Sequence, residues 1–361
     1  MNYSDTMGTR TNTNLDFLRA FAVLLVVVGH LTRFFDVSRL GPISCMGLGG
    51  LGVAIFFVHT ALVLMLSLKR EAGNSRTLFV PFMIRRCFRI YPLSMLVVMV
   101  VAIFHLPQAT IGAGTFAGWN FDGSDVLANL FLVQDLSFRV PILGPTWSLS
   151  FELQMYLLLP AMFLFLQRVR PMWQLGAIYA LIVGLCTTTV HYSSTRNLAF
   201  FVPCFLGGII AYQLHSQVGA KVPAWVWPGF VVVLGTGYLT TSMSRFDEWA
   251  VCLLLGLAIP VFAQISSRAL NAASATIAKY SYGIYLSHFF VIWLAFEKLA
   301  GHSLALRVAV FVSLAAALPV MLYHLIEEPL ITFGKRVASR YIKDRQARYL
   351  PQDLPLRGEA F

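Results

Sequence analysis

The chain has 361 residues, of which 58% are hydrophobic and 12% charged, with a mean hydropathy of +0.72; a soluble domain carries about twice that share of charge. Its formal net charge of +11 would suit a nucleic-acid binder, but the basic residues fall in short connections between apolar runs and in the C-terminal tail, as membrane topology requires. Composition therefore excludes a soluble globular enzyme and gives no support to nucleic-acid binding.

Apolar runs predict an all-α, polytopic membrane protein, a bundle of about ten transmembrane helices. They lie at about 15–35, 48–68, 88–106, 147–167, 173–190, 198–215, 225–242, 248–266, 277–299 and 304–327. Three regions follow: a polar segment 1–14, a membrane domain 15–330 and a basic tail 331–361. The leading segment lacks a small-residue cleavage pattern, so the first run is expected to stay as a signal anchor.

That first run, LDFLRAFAVLLVVVGHL, holds Arg19 and His30. Eleven positions make almost three helical turns, so both side chains share one face, about 16 Å apart along the axis. Such residues in a membrane helix usually turn to a cavity or a partner. Taken singly, Arg19 also reads as snorkelling to the interface, and His30 as bonded to a neighbouring span. Histidine is the side chain best suited to take a proton from a hydroxyl near neutral pH. The second run contains the unusual His59.

The next connection carries Lys69, Arg70, Arg76, Arg85, Arg86 and Arg89 against Glu71. Within PFMIRRCFRIYP, the three arginines Arg85, Arg86 and Arg89 form a short helical segment before the third span. They read either as ordinary positive-inside anchoring or as a clamp for phosphate, whose oxygens match guanidinium forks. A long polar interruption follows, about Leu106 to Thr146, with Asp122, Asp125, Asp135 and Arg139. On a positive-inside topology it faces outward and could cover a binding site.

In GPTWSLSFELQMYLLLP, Pro145 and Thr146 start the fourth span, and Glu152 falls at about the depth of His30. A carboxylate there needs a partner or a water-filled cavity, unless it serves a helix-packing ion pair with an arginine. Trp147 and Tyr156 read as interface and core aromatics. Farther on, Arg168 and Arg170, Lys221, and Arg268 with Lys279 keep alternate connections basic. In KYSYGIYLSHFF, Tyr282, Tyr285 and His288 line either the same cavity or a packing stripe. Glu327 and Glu328 close the last span before Pro329. The tail has Lys335, Arg336, Arg340, Lys343, Arg345, Arg348 and Arg357 against Asp344, Asp353 and Glu359, and reads as a helix on anionic lipid. Both termini are then expected in the cytoplasm. Five cysteines, Cys45, Cys87, Cys186, Cys204 and Cys252, show neither a disulfide framework nor a metal motif.

Together these segments resemble the acyltransferase-3 family of integral-membrane acyltransferases, which modify O-antigens, exopolysaccharides, peptidoglycan, Nod factors and some macrolides. LDFLRAFAVLLVVVGH, GVAIFFVHTALVLML, RRCFRIYP, WSLSFELQMYLLLP, YSYGIYLSHFFV and IEEPL stand in family order. The resemblance implies acyl transfer, acetyl by default, from acyl-CoA to a hydroxyl of a cell-surface glycan, glycolipid or lipid-linked saccharide. It implies an enzyme of the inner (plasma) membrane with acyl-CoA as co-substrate and no tightly bound cofactor or metal. His30 would be a general base or a transient acyl carrier. Arg19 would neutralise or orient the donor, and Glu152 would fix the imidazole tautomer or bind acceptor hydroxyls. Arg85, Arg86 and Arg89 would engage the donor; Trp147, Ser148, Tyr285, His288 and His59 would contact substrate. One departure stands out: the usual Phe-Phe-x-x-Ser-Gly of the second span reads FFVHTA here, with Thr60 and Ala61 in the last two places and His59 directly before them. On physics alone, a transporter or flippase of glycan intermediates, or a structural partner in glycan export, also fits inward-facing charge. No internal repeat supports transport, and the arginine cluster has no obvious part in it.

Overall fold

Each expected span overlaps a helix in the computed structural model, which describes residues 12–71, 78–106, 110–111, 114–115, 121–168, 172–193, 197–219 and 221–349. In chain order these are α1 (Thr13–Phe34), α2 (Leu48–Glu71), α3 (Phe79–Phe104), the short α4 (Gly123–Leu130), α5 (Thr146–Leu166), α6 (Met172–Tyr192), α7 (Val202–His215), α8 (Val226–Leu239), α9 (Arg245–Ala258), α10 (Arg268–Ile292), α11 (Leu304–Leu322) and α12 (Glu328–Tyr349). A π-turn, Trp293–Lys298, extends α10, and another, Tyr323–Glu327, joins α11 to α12. The strands are two small antiparallel hairpins, β1 (Arg39–Leu40) with β2 (Ile43–Ser44), and β3 (Thr110–Ile111) with β4 (Gly114–Thr115). Arg76, Arg170, Asp353, Arg357 and Glu359, named above, lie outside the described residues.

Among the described residues, six helices are long and apolar enough to cross a membrane: Thr13–Phe34, Cys45–Glu71, Phe79–Phe104, Thr146–Leu166, Trp173–Tyr192 and the continuous Leu304–Arg345. The chain is an all-α membrane protein. Of the other four expected spans, α7, α8 and α9 have 14 residues each. At 1.5 Å per residue that is about 21 Å, against a hydrocarbon core of about 30 Å. α10 is longer, but it carries Lys279, Tyr280, Ser281, Tyr282, Tyr285 and His288.

Local chemistry sets the helix starts. Asn12 accepts from the Leu15 amide at 3.2 Å at the head of α1; Ser267 and Ser303 cap α10 and α11. α3 begins nine residues before the expected span. Pro81 lies in its first turn, where a missing N–H costs nothing, so Arg85, Arg86 and Arg89 sit inside the helix, not ahead of it. In the connection between α3 and α5, Asp122 and Asp125 form a capping box on α4. The Ser124 hydroxyl and the Asp125 amide hold the Asp122 carboxyl below its usual range. Asn129 pins this connection to α5: its Nδ2 donates to Val140 O at 2.9 Å, and its Oδ1 accepts from Ile142 N at 3.1 Å and Thr146 Oγ1 at 3.2 Å.

α2 is the central staff of the bundle, packed by α1, α5, α7 and α9. Lipid tails are as apolar as leucine, so helices in a membrane associate by close approach at small residues. A Cβ on Gly52 would sit 2.6 Å from the Ala22 carbonyl oxygen of α1. A Cβ on Gly208 of α7 would run into the Val58 carbonyl oxygen of α2. Gly208→Ala is therefore expected to cost about 1–3 kcal/mol by overpacking, read as a lowered melting temperature of the purified protein. Gly184→Ala, on an open face of α6, should leave it unchanged.

The tail departs from a free helix on lipid. α12 runs along α3, with Gly334 against the Phe88 side chain and the Phe88 and Phe333 rings 5.3 Å apart. All five cysteines are free thiols.

Candidate active site

Two polar clusters lie between α1 and α10. The face of α1 that carries both Arg19 and His30 packs on α10. Arg19 Nε donates to Ser281 Oγ at 2.6 Å, and Ser281 Oγ donates to Ala278 O at 2.9 Å. At the other end of the face, His30 Nδ1 is 2.8 Å from Val26 O and 3.2 Å from His288 Nε2, while His288 Nδ1 is 3.2 Å from Ile284 O.

This geometry assigns the tautomers. A carbonyl oxygen only accepts, so each Nδ1 carries its ring's proton. His30 Nδ1–H is then shared between Val26 O and the His288 Nε2 lone pair. That leaves His30 Nε2 as a lone-pair nitrogen, the form a general base needs. The rings are supported by Phe289, whose centroid is 4.7 Å from each histidine. Next to His30, a Cβ on Gly29 would lie 2.6 Å from Gly49 N, so α1 and α2 touch there.

The Arg19 cluster lines a cavity between α1, α2, α3, α5 and α10, with Thr60, Arg89, Ser148, Glu152, Tyr156, Ser281, Tyr282 and Tyr285 among its walls. Its water-sized space is about 60 Å³, room for a few waters by volume. Glu152 accepts a short hydrogen bond from the Tyr156 hydroxyl one turn along α5. Its charged neighbours are Arg19, Arg89 and Arg86. Glu152 thus belongs to the arginine cavity, and the His30 tautomer is set by Val26 and His288. Glu327, 2% exposed at the end of the π-turn, faces Arg89 and Arg19. Neither of its carboxylate oxygens has a hydrogen-bond partner among the described residues. The π-turn has a local cause: Pro329 cannot donate to Leu325 O, and Glu328 N bonds back to Tyr323 O. Three arginines, Arg19, Arg86 and Arg89, stand against two carboxylates here, an arrangement suited to an anion.

The three arginines of α3 have different surroundings. Arg89 lines the cavity; Arg86 lies 5.5 Å over the Phe82 ring. Arg85 is ion-paired to Glu71 at the end of α2, and Glu71 also accepts from Ser67 Oγ at 3.1 Å. A double-mutant cycle over Arg85→Ala and Glu71→Ala should return a coupling of about 0.5–3 kcal/mol in stability. Arg85→Ala should reduce activity far less than Arg89→Ala.

Ser148 and Tyr285 share a hydrogen bond of 2.7 Å, and Tyr285 OH donates to Pro145 O at 3.0 Å. The Tyr285 ring lies 6.1 Å from His288, so this pair stands between the cavity and the histidines. Trp147 lies instead in an aromatic cluster with Phe151 and Phe201, at 6.0 and 5.3 Å. His59 is buried with Arg19 and Arg89 as charged neighbours, and Thr60 lines the cavity.

Residues 12–325 match the family model of the acyltransferase domain, acyltransferase 3. The chain belongs to this family. It is an enzyme that transfers acyl groups. The acyltransferase is 26% identical over 314 residues to acyltransferase MdmB of Streptomyces mycarofaciens, covering 77% of this chain and 78% of that one. It is also 26% identical over 382 residues to YrhL of Bacillus subtilis (strain 168), named as a peptidoglycan O-acetyltransferase, covering 94% of this chain. This chain spans 58% of the length of YrhL. No solved structure matches it.

Two sets of residues at the cavity and the histidine pair carry a sequence signal that composition hides. Ser148, Glu152 and Tyr156 are spaced i, i+4, i+8, and Ser281, Tyr285 and His288 are spaced i, i+4, i+7. Each set is one face of one helix. That rule puts Tyr156 on the face of Glu152 and Ser281 on the face of Tyr285; that these faces line one cavity is decided by the packing.

Proposed function

We propose that the acyltransferase moves an acyl group, acetyl in the simplest case, from acyl-CoA to a hydroxyl of a cell-surface glycan or lipid-linked saccharide. The observation that carries this reading is the placement of His30 Nδ1 at 2.8 Å from Val26 O and 3.2 Å from His288 Nε2, which assigns the ring proton to Nδ1 and the lone pair to Nε2. The acceptor hydroxyl oxygen bonds to the thioester carbonyl carbon as its proton passes to Nε2. The carbon–sulfur bond breaks, and that proton leaves with the thiolate. Arg89 and Arg19, which together with Arg86 outnumber Glu152 and Glu327, receive the anionic donor. Ser148 and Tyr285 orient the reacting groups at the passage between cavity and histidines.

The bias of basic residues supports both termini in the cytoplasm of an inner membrane, with the arginine end on the donor side. The name of YrhL supports an acetyl group and a glycan acceptor. The cavity as it stands is too narrow for a thioester arm, so donor entry requires the helices around it to part. The test is transfer of label from acetyl-CoA in membranes holding equal amounts of wild type and His30→Ala. Label in a glycan or lipid fraction with wild type alone supports the reading. Equal labelling by both removes His30 from the chemistry, and no labelling from acetyl-CoA, with transfer from another acyl donor, replaces the donor.

A further inference from the structure

A second cavity, of about 310 Å³, lies between α5, α6 and α7, outside the arginine site. Its walls include Ala161 and Phe165 of α5, Ile178 and Ile182 of α6, and Leu206 and Ile210 of α7. Tyr179 brings the only hydroxyl among its lining residues. An enclosed apolar cavity of about 150 Å³ already takes up apolar ligands; this larger one is open, with Ala161 and Phe165 exposed at its wall, and leaving it unfilled forfeits dispersion contacts along its apolar lining.

Its position in the bundle says which ligand is at hand. α6 packs on α7 and is otherwise largely exposed, so the cavity lies beside lipid. At one end its wall is Leu166, the last residue of α5, whose carbonyl accepts from Gln213 Nε2 of α7 at 3.3 Å. Arg168 is exposed two residues later. His215 ends α7 and has Lys69, at the end of α2, as its charged neighbour. Arg168 and Lys69 thus put positive charge near this end of the apolar hole, on the side to which the charge bias assigns the cytoplasm.

We propose that this cavity holds an acyl chain of an anionic phospholipid, with the headgroup at Arg168. Basic residues at a membrane surface select anionic headgroups, and the chain supplies the contacts that α5 and α6 do not make with each other. The bound lipid braces α5, the helix that carries Ser148, Glu152 and Tyr156.

The experiment uses the full-length protein in a neutral detergent, read by thermal unfolding and by mass spectrometry of retained lipid. Phosphatidylglycerol is expected to raise the melting temperature by several degrees, phosphatidylcholine by less, and inorganic phosphate not at all. Ala161→Phe and Ile182→Trp fill the cavity from two sides and should abolish the shift and the retained lipid. Ala161 is exposed, so its replacement does not endanger the fold. Arg168→Glu, on the surface, should erase the preference for phosphatidylglycerol over phosphatidylcholine while keeping the shift. Equal shifts in wild type and both filled variants overturn the chain site. Equal response of the wild type to both lipids overturns the headgroup assignment, and a shift with phosphate alone makes the rim an ion site instead.

Discussion

His30→Ala should lower acyl transfer by about 10²- to 10⁴-fold, the range supplied by a positioned acid–base group, while the protein remains folded. The side chain leaves behind one acceptor in need of a donor, His288 Nε2, since Val26 O is a helical carbonyl. The stability cost is that of one unsatisfied polar group, about 1–3 kcal/mol, and shows as a modest fall in melting temperature. His30→Gln keeps a polar side chain and should be as inactive, because glutamine has no basic nitrogen. His288→Phe removes the acceptor for Nδ1–H but leaves Val26 O to hold it. Its effect should be about tenfold or less and should fall on kcat rather than KM. Wild-type transfer by His30→Gln would end the role of His30 as base, whatever became of stability.

Arg19→Ala has the second large effect, and it acts through both folding and binding. Removing Arg19 leaves Glu152 and Glu327 facing Arg89 and Arg86 with one positive charge fewer and frees the Ser281 hydroxyl. Breaking a buried charge cluster this way costs about 3–5 kcal/mol, so lower yield from the membrane is expected together with a raised KM for the donor. Arg19→Lys keeps the charge and loses the Nε–H that reaches Ser281, and should recover yield without recovering KM. The double variant Arg19→Ala with Glu152→Gln separates the two effects. Neutralising both charges should restore stability above that of Arg19→Ala alone, and activity should stay low. If activity returns with stability, Arg19 is a packing ion and has no part in receiving the donor.

The mutual arrangement of Arg19 and His30 was open to reading because eleven helical positions are a local, geometric fact. Their partners were not. Ser281 lies 262 residues from Arg19 and His288 lies 258 from His30, and no periodicity along α1 names the helix that will lie against it. Glu152 shows the same limit from the other side. Its depth in the bilayer follows from counting residues, and placed it level with His30. In the structure the packing of α5 on α2 and α3 sets it instead at the level of Arg19, beside Tyr156 and the arginines. Arg85, Arg86 and Arg89 were three equal candidates along the chain, and only the approach of the end of α2 assigned Arg85 to Glu71.

By itself the sequence determined the helices and their order, because apolar run length, caps and charge bias act within a few turns of chain. It also determined which residues are costly in a membrane and so must find partners. Tertiary packing alone decided which partner each one found, how the histidines divide their protons, and that the basic tail lies along α3. The reason is physical: glycines such as Gly52 and Gly208 let backbones touch, and which backbones touch depends on surfaces brought together from far apart in the chain.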